Sequence, residues 1–157
     1  MKHSLRIILF FWLAMNAFAI SAATGNLSRG QLLYVPAYSH IYSGDEDRPF
    51  LLTVTLSIRN IDPGRKIHID RVEYMATSGT LLKNYIEKTV ELQPLASMRI
   101  VIPMKDKAGG SGASFLVEWS ANAPTNPPIV EAIMIGTQAQ QGISFVSRAR
   151  EITRRQK

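Results

Sequence analysis

The residues best equipped for chemistry lie close together: Tyr38-Ser39-His40-Ile41-Tyr42, followed by Ser43-Gly44-Asp45-Glu46-Asp47. An imidazole here can move a proton near neutral pH or bind a borderline metal. His40 and His68 are the histidines beyond residue 23, and a cysteine-free copper site could add Met75, Met98, Met104 or Met134. The spacing argues against such a site, because the two histidines are far apart and Met98 and Met134 fall on apolar strand phases. His40 is left as the one candidate metal ligand. Asp45-Glu46-Asp47 lacks the glycine-spaced alternation of oxygens that a calcium loop requires, so it reads as a solvated acidic turn.

Gly109-Gly110-Ser111-Gly112-Ala113 offers a second chemistry. A nucleophile elbow needs a glycine where Ala113 stands and a helix after it, whereas a strand follows here. A phosphate loop needs a Lys-Ser/Thr pair that is absent. Ser111 with His40 and Asp45 or Asp106 would supply the residue types of a hydrolase, yet no convergent acid–base set is evident. Glycine is explained more simply by backbone freedom at a tight connection. The chain is therefore expected not to be an enzyme, and no cofactor is expected.

The more promising polar residues suit binding. Tyr38, Ser39, His40, Arg59, Asn60 and Glu118 are the candidate ligand or partner contacts. Arg59 and Glu118 occupy the polar phases of strong strands and are expected to pair across neighbouring strands. Trp119, on the opposite phase, is expected in the core.

Strands must position these groups. From Phe50 to Arg59, the residues Phe50, Leu52, Val54, Leu56 and Ile58 share one phase, which predicts a strand with one buried face. Asn60 to Gly64 supplies a turn. The apolar phase of Ile67 and Ile69 resumes one residue late at Val72 and Tyr74, which predicts a bulge across Asp70-Arg71. Further strands are expected over 80–86, 89–92, 97–102, 114–120, 129–135 and 143–146. Gln31 to Tyr42 is expected as one edge strand broken at Pro36, or two short ones. Ala123 to Pro128 reads as an extended connector, because prolines cannot donate to a ladder. About eight or nine short strands with turns between them predict an all-β, single-domain antiparallel β-sandwich, immunoglobulin-like.

The ends of the chain bear on location. Lys2 and Arg6 precede the apolar run Ile7 to Ile20, and Ala17-Phe18-Ala19 and Ser21-Ala22-Ala23 offer small-residue cleavage sites. This predicts a signal peptide over residues 1–23, a sandwich over 24–147 and export to the periplasm or beyond. The run is too short for a comfortable membrane span. With no cysteine in the chain, thiolate metal sites, thiol catalysis and disulfides are excluded. The net charge of +6 comes from Lys2 and Arg6 in the leader and from residues 148–157, where Arg148, Arg150, Arg154, Arg155 and Lys157 stand against Glu151. Residues 148–157 are thus read as a basic tail, unstructured or briefly helical, able to touch an anionic surface. Export removes most occasions to meet nucleic acid.

Several strings together resemble a known family: Gly30-Gln31, Tyr34 to Tyr42, Leu56-Ser57-Ile58-Arg59-Asn60, Gly109 to Ala113 leading into Val117-Glu118-Trp119, Pro128 to Ala132, and Gly142-Ile143-Ser144-Phe145. They resemble an exported bacterial family catalogued as a domain of unknown function, over residues 30–147. The resemblance implies an exported single domain, and lipoproteins among the relatives. The lipid anchor does not carry over, because the required cysteine is missing. It implies no activity. The reading is a non-enzymatic periplasmic module that binds an envelope protein. A small-ligand or metal binder using His40 is the alternative, and a hydrolase using Ser111 and His40 the third.

Overall fold

Every residue of the apolar phase from Phe50 to Ile58 is buried, and that phase runs through the middle of the molecule. The computed structural model describes residues 27–42, 47–138 and 140–152. Its elements are β1 (Ser28–Pro36), β2 (His40–Tyr42), β3 (Pro49–Leu51), β4 (Thr53–Arg59), β5 (Ile67–Met75), β6 (Leu81–Asn84), β7 (Val90–Leu92), β8 (Ser97–Ile102), β9 (Ser114–Thr125), β10 (Ile129–Gln138), β11 (Gln141–Arg148) and β12 (Arg150–Glu151). One sheet has the order β12-β1-β9-β5-β6, with β7 also on β5; the other runs β11-β10-β4-β8; β2 and β3 form a separate ribbon. All pairs are antiparallel. This is the expected antiparallel sandwich, built from twelve strands among the described residues where eight or nine were expected. No helix among the described residues is long and apolar enough to cross a membrane.

The two large sheets enclose one core, with Leu52, Val54, Leu56 and Ile58 facing Ile67, Ile69, Val72 and Phe115 as part of a single cluster. Trp119 is buried as expected, its indole N–H donating to Gln31 Oε1 at 3.1 Å. The bulge also falls where the phase slips: the β5–β9 register shifts between Ile69 and Arg71. Asp70 is the extra residue, which returns Val72 and Tyr74 to the buried side.

Four expectations need correction. The run Phe50–Arg59 is two strands, because the Leu52 N–H leaves the ladder and bonds to the Ser39 carbonyl at 2.9 Å. β1 is no edge strand, since it lies between β9 and β12. The supposed connector from Ala123 is still strand through Thr125, which pairs with Ser28. Pro124 is tolerated there because the β5 ladder on that side has already ended at His68 and Ser120. Finally, the sandwich continues beyond residue 147: Arg150 and Glu151 pair with Tyr34 and Leu33, and the Ile152 N–H bonds to the Leu32 carbonyl at 2.9 Å. Backbone pairing, which charge does not forbid at an exposed edge, orders the start of the basic segment. Residues 153–157 and the leader 1–23 lie outside the described residues.

Candidate functional site

The six binding candidates are distributed over both sheets and the ribbon. Tyr38 packs edge-on against Phe145 with ring centroids 5.6 Å apart. Ser39 is fully buried and its hydroxyl shares a 2.9 Å hydrogen bond with Tyr74 Oη. His40, on β2, contacts Tyr42 through Nε2 at 3.2 Å. Glu118 belongs to the six-stranded sheet, where Arg71 meets it at 3.2 Å across the β5–β9 register. Arg59 belongs to the other sheet and faces Glu131 at 3.9 Å. The expected Arg59–Glu118 pair is therefore replaced by two separate pairs, one on each sheet.

Asn60 is a structural hub. It is 2% exposed. Its Nδ2 donates to the carbonyls of Arg65, Leu92 and Gln93 at 2.8, 3.2 and 2.9 Å. Its Oδ1 accepts the N–H of Asp62, whose own carboxylate accepts the backbone N–H groups of Gly64, Arg65 and Asn126. Donation from the Asn126 backbone, then from Gly64, lowers the Asp62 pKa to about 2. These are turn chemistry rather than ligand chemistry.

The glycine loop is also more constrained than its composition implies. Thr77 Oγ1 donates to the Gly109 carbonyl at 2.9 Å and accepts the Gly112 N–H at 2.9 Å, while the Ser39 N–H bonds to the Gly110 carbonyl at 3.0 Å. A Cβ on Gly109 would lie 2.0 Å from Tyr74 Oη, and Gly110 sits at φ +80°. This docking seats the loop against the backbone of Ala37 and Ser39. Asp106, the proposed third member, spends Oδ1 on the Ala108 N–H at 3.0 Å. Asp45 and Glu46 lie outside the described residues. His40, His68 and Met98 stand on the ribbon, the six-stranded sheet and the four-stranded sheet respectively. Among the described residues no three His, Cys, Asp or Glu side chains are grouped to hold a metal.

A groove of about 440 Å³ passes beside Gly30, Asp70, Glu118 and Glu151. At Gly30 the backbone of β1 runs close to β9; a Cβ there would lie 2.7 Å from the Trp119 carbonyl. Its carboxylates are held by neighbours: Asp70 by Thr89 at 3.0 Å, Glu151 by Gln31 at 2.8 Å and Glu118 by Arg71.

The feature that stands out is the outer face of the four-stranded sheet. The register aligns Val101, Thr55, Ile133 and Val146 in one row across all four strands. Beside it runs Arg99, Ser57, Glu131 and Arg148, and beyond that lie Arg59 and Ile129. Val101 is 47% exposed, and Ile135 and Val146 are each 51% exposed. At the usual strand spacing of about 4.8 Å the apolar row spans about 14 Å. Three arginines border it with one glutamate, leaving the rim cationic. Arg59 alone was foreseen here. A signal for the others was present in Ile129-Val130-Glu131-Ala132-Ile133-Met134-Ile135, apolar in both phases. A strand with a solvated outer face alternates more strictly.

The family model described as Protein of unknown function (DUF3124) matches residues 30–152, so the resemblance to a family of unknown function holds at that level. Among solved structures, the chain is similar to the crystal structure of Thermotoga maritima 1070, with a TM-score of 0.46 at 14% identity, over 80% of this chain and 95% of that one. No curated protein matches the chain.

Proposed function

We propose, for a chain that belongs to the DUF3124 family of proteins of unknown function, a non-enzymatic role as an exported interaction module that holds an envelope protein against its four-stranded sheet. One observation carries this reading: the row Val101, Thr55, Ile133 and Val146 crosses the outer face of the sheet, exposed at Val101 and Val146 and partly buried between them, and is bordered by Arg59, Arg99 and Arg148. Burying such a row is favourable at about 25 cal/mol per Å² of apolar area. The cationic rim selects a partner with apolar groups flanked by carboxylates. Export is supported by the order of Lys2 and Arg6, the apolar run Ile7–Ile20 and the small residues before Thr24.

The test is a photo-crosslinking amino acid placed at Val101 in living cells, with Leu81 on β6 of the other sheet as the control position. A discrete adduct from position 101, absent from 81 and formed more slowly with Arg99→Glu, is the expected result. Equal labelling from both positions overturns the reading. Mass spectrometry of the protein isolated from the cell tests export, since a chain still starting at Met1 would contradict it.

A further inference from the structure

We propose that two copies of this chain associate edge to edge through β11, extending the four-stranded sheet into a continuous eight-stranded one. β11 is eight residues long, forms the end of its sheet and pairs only with β10. Among the described residues no other strand forms a backbone ladder with it; β1 reaches it through the Pro36 carbonyl, which accepts the Ser147 hydroxyl, and Tyr38 packs edge-on against Phe145. A free row of N–H and C=O groups is a template for another strand unless charge, proline or a bulge guards it. β8, at the opposite end of the sheet, is guarded: Pro94 and Pro103 bound it and Arg99 occupies its middle. β11 contains no proline, and from Gln141 to Ser147 no charge.

The side chains indicate what fits this edge. On the inner phase of β11, Ile143 and Phe145 are only half-buried, whereas Val130, Ala132 and Met134 on adjoining β10 are fully enclosed. On the outer phase Val146 is 51% exposed. The edge thus needs a neutral strand that is apolar on both faces, and β11 itself meets that description. In an antiparallel pairing centred on Phe145, inner residues meet inner residues. Val146 then lies opposite Ser144 of the second copy, and Arg148 opposite its Gly142. No like charges face each other. Pairing two β8 strands would instead bring two Arg99 side chains together. The same join brings the two Val146 side chains diagonally beside each other, each row meeting the Ser144–Ile135 row of the other copy.

The absence of cysteine makes the test clean. Sedimentation velocity on the purified protein should show a monomer–dimer equilibrium with a dissociation constant below about 100 μM. Under mild oxidation, at least one of the single variants Ser144→Cys, Phe145→Cys and Val146→Cys should give a disulfide-linked dimer, while Ser78→Cys should not. Val146→Lys should weaken association at least about tenfold with an unchanged unfolding temperature. Ser144→Lys, at an exposed position, serves if that variant unfolds. A monomer at every concentration up to about 100 μM, or crosslinking as strong at Ser78, overturns the proposal. Because only purified protein is used, the result is independent of any captured partner.

Discussion

The Asp62 backbone N–H donates to Asn60 Oδ1 at 3.0 Å, and through this bond two buried side chains tie together one end of the sandwich. Asn60 reaches the β4–β5 turn and the end of β7; Asp62 reaches the β9–β10 connection through Asn126 Nδ2 at 3.0 Å. Three connections that cross between the sheets are thus closed by one Asn-x-Asp triplet.

Asn60→Ala should therefore cost about 2–3 kcal/mol, since it strands buried carbonyls that a methyl cannot satisfy. Asn60→Asp should be no better, because a carboxylate has no N–H to offer them. Urea denaturation measures both. A loss below about 0.5 kcal/mol for the alanine variant would remove the hub assignment.

Acid should act through Asp62. Its pKa is lowered from 3.8 to about 2 in the folded chain by backbone donors. A lowered folded pKa means that the unfolded chain takes up the proton first. The stabilising contribution is thus complete above the unfolded value and is lost as pH falls from about 4 towards 2. Melting temperatures followed over that interval should fall less steeply in Asp62→Asn than in the wild type. Parallel curves would assign the acid sensitivity elsewhere.

Tyr74 is buried beneath the glycine loop. Burial raises its pKa, the Ser39 hydrogen bond opposes the rise, and the Asp106 charge adds to it. Here the folded chain keeps the proton longer, so this contribution is complete below the ordinary tyrosine value of 10.0 and lost as pH climbs beyond it. Tyr74→Phe leaves the Ser39 hydroxyl buried without its partner and should cost about 1–2 kcal/mol at neutral pH. The variant should also unfold less readily than the wild type as pH rises, relative to each protein's own neutral stability. Identical alkaline profiles would contradict this.

Periodicity made the core legible. Phe50 to Ile58 and Phe115 to Trp119 alternate with one exception each, Leu51 and Leu116, and the continuous apolar phases are the ones buried. The slip at Asp70-Arg71 located a bulge, because a period of two cannot lose a residue silently. Pairing partners were less legible: Arg59 and Glu118 sit on equally plausible polar phases, and local pattern does not say which sheet a strand joins. Asn60 read as a ligand or partner contact because the carbonyls it satisfies lie 5, 32 and 33 residues away. The open apolar row was missed for the same reason. Val101, Ile133 and Val146 become neighbours only once the strand order is known.

Close packing separates two glycines that look alike in sequence. A Cβ at Gly136 would lie 2.5 Å from the Leu51 carbonyl and 2.6 Å from the Phe50 ring, so β10 could not keep its contact with β3. At Gly142 the nearest atom is a Thr137 methyl at 4.0 Å. Gly136→Ala should cost about 1–3 kcal/mol by overpacking, and Gly142→Ala should stay within about 0.5 kcal/mol of the wild type. Thermal unfolding decides it, and equal costs would mean that β3 does not press on β10.

The rim of the outer face should govern how fast a partner arrives. Glu131 is the carboxylate among Arg59, Arg99 and Arg148; it stands 3.9 Å from Arg59, whose Nε donates to Ser57 Oγ at 3.1 Å. Glu131→Gln raises the positive potential of the face without touching the apolar row. Arg99→Glu lowers it beside Val101. Charges at a rim act mainly on association, so capture should quicken about two- to fivefold in the first variant and slow by a similar factor in the second, both differences shrinking with added salt. Adduct formation at position 101, followed in time at low and high ionic strength, measures this. Rates that ignore both substitutions would leave an apolar row without electrostatic selectivity, and a partner lacking the carboxylates assigned to it.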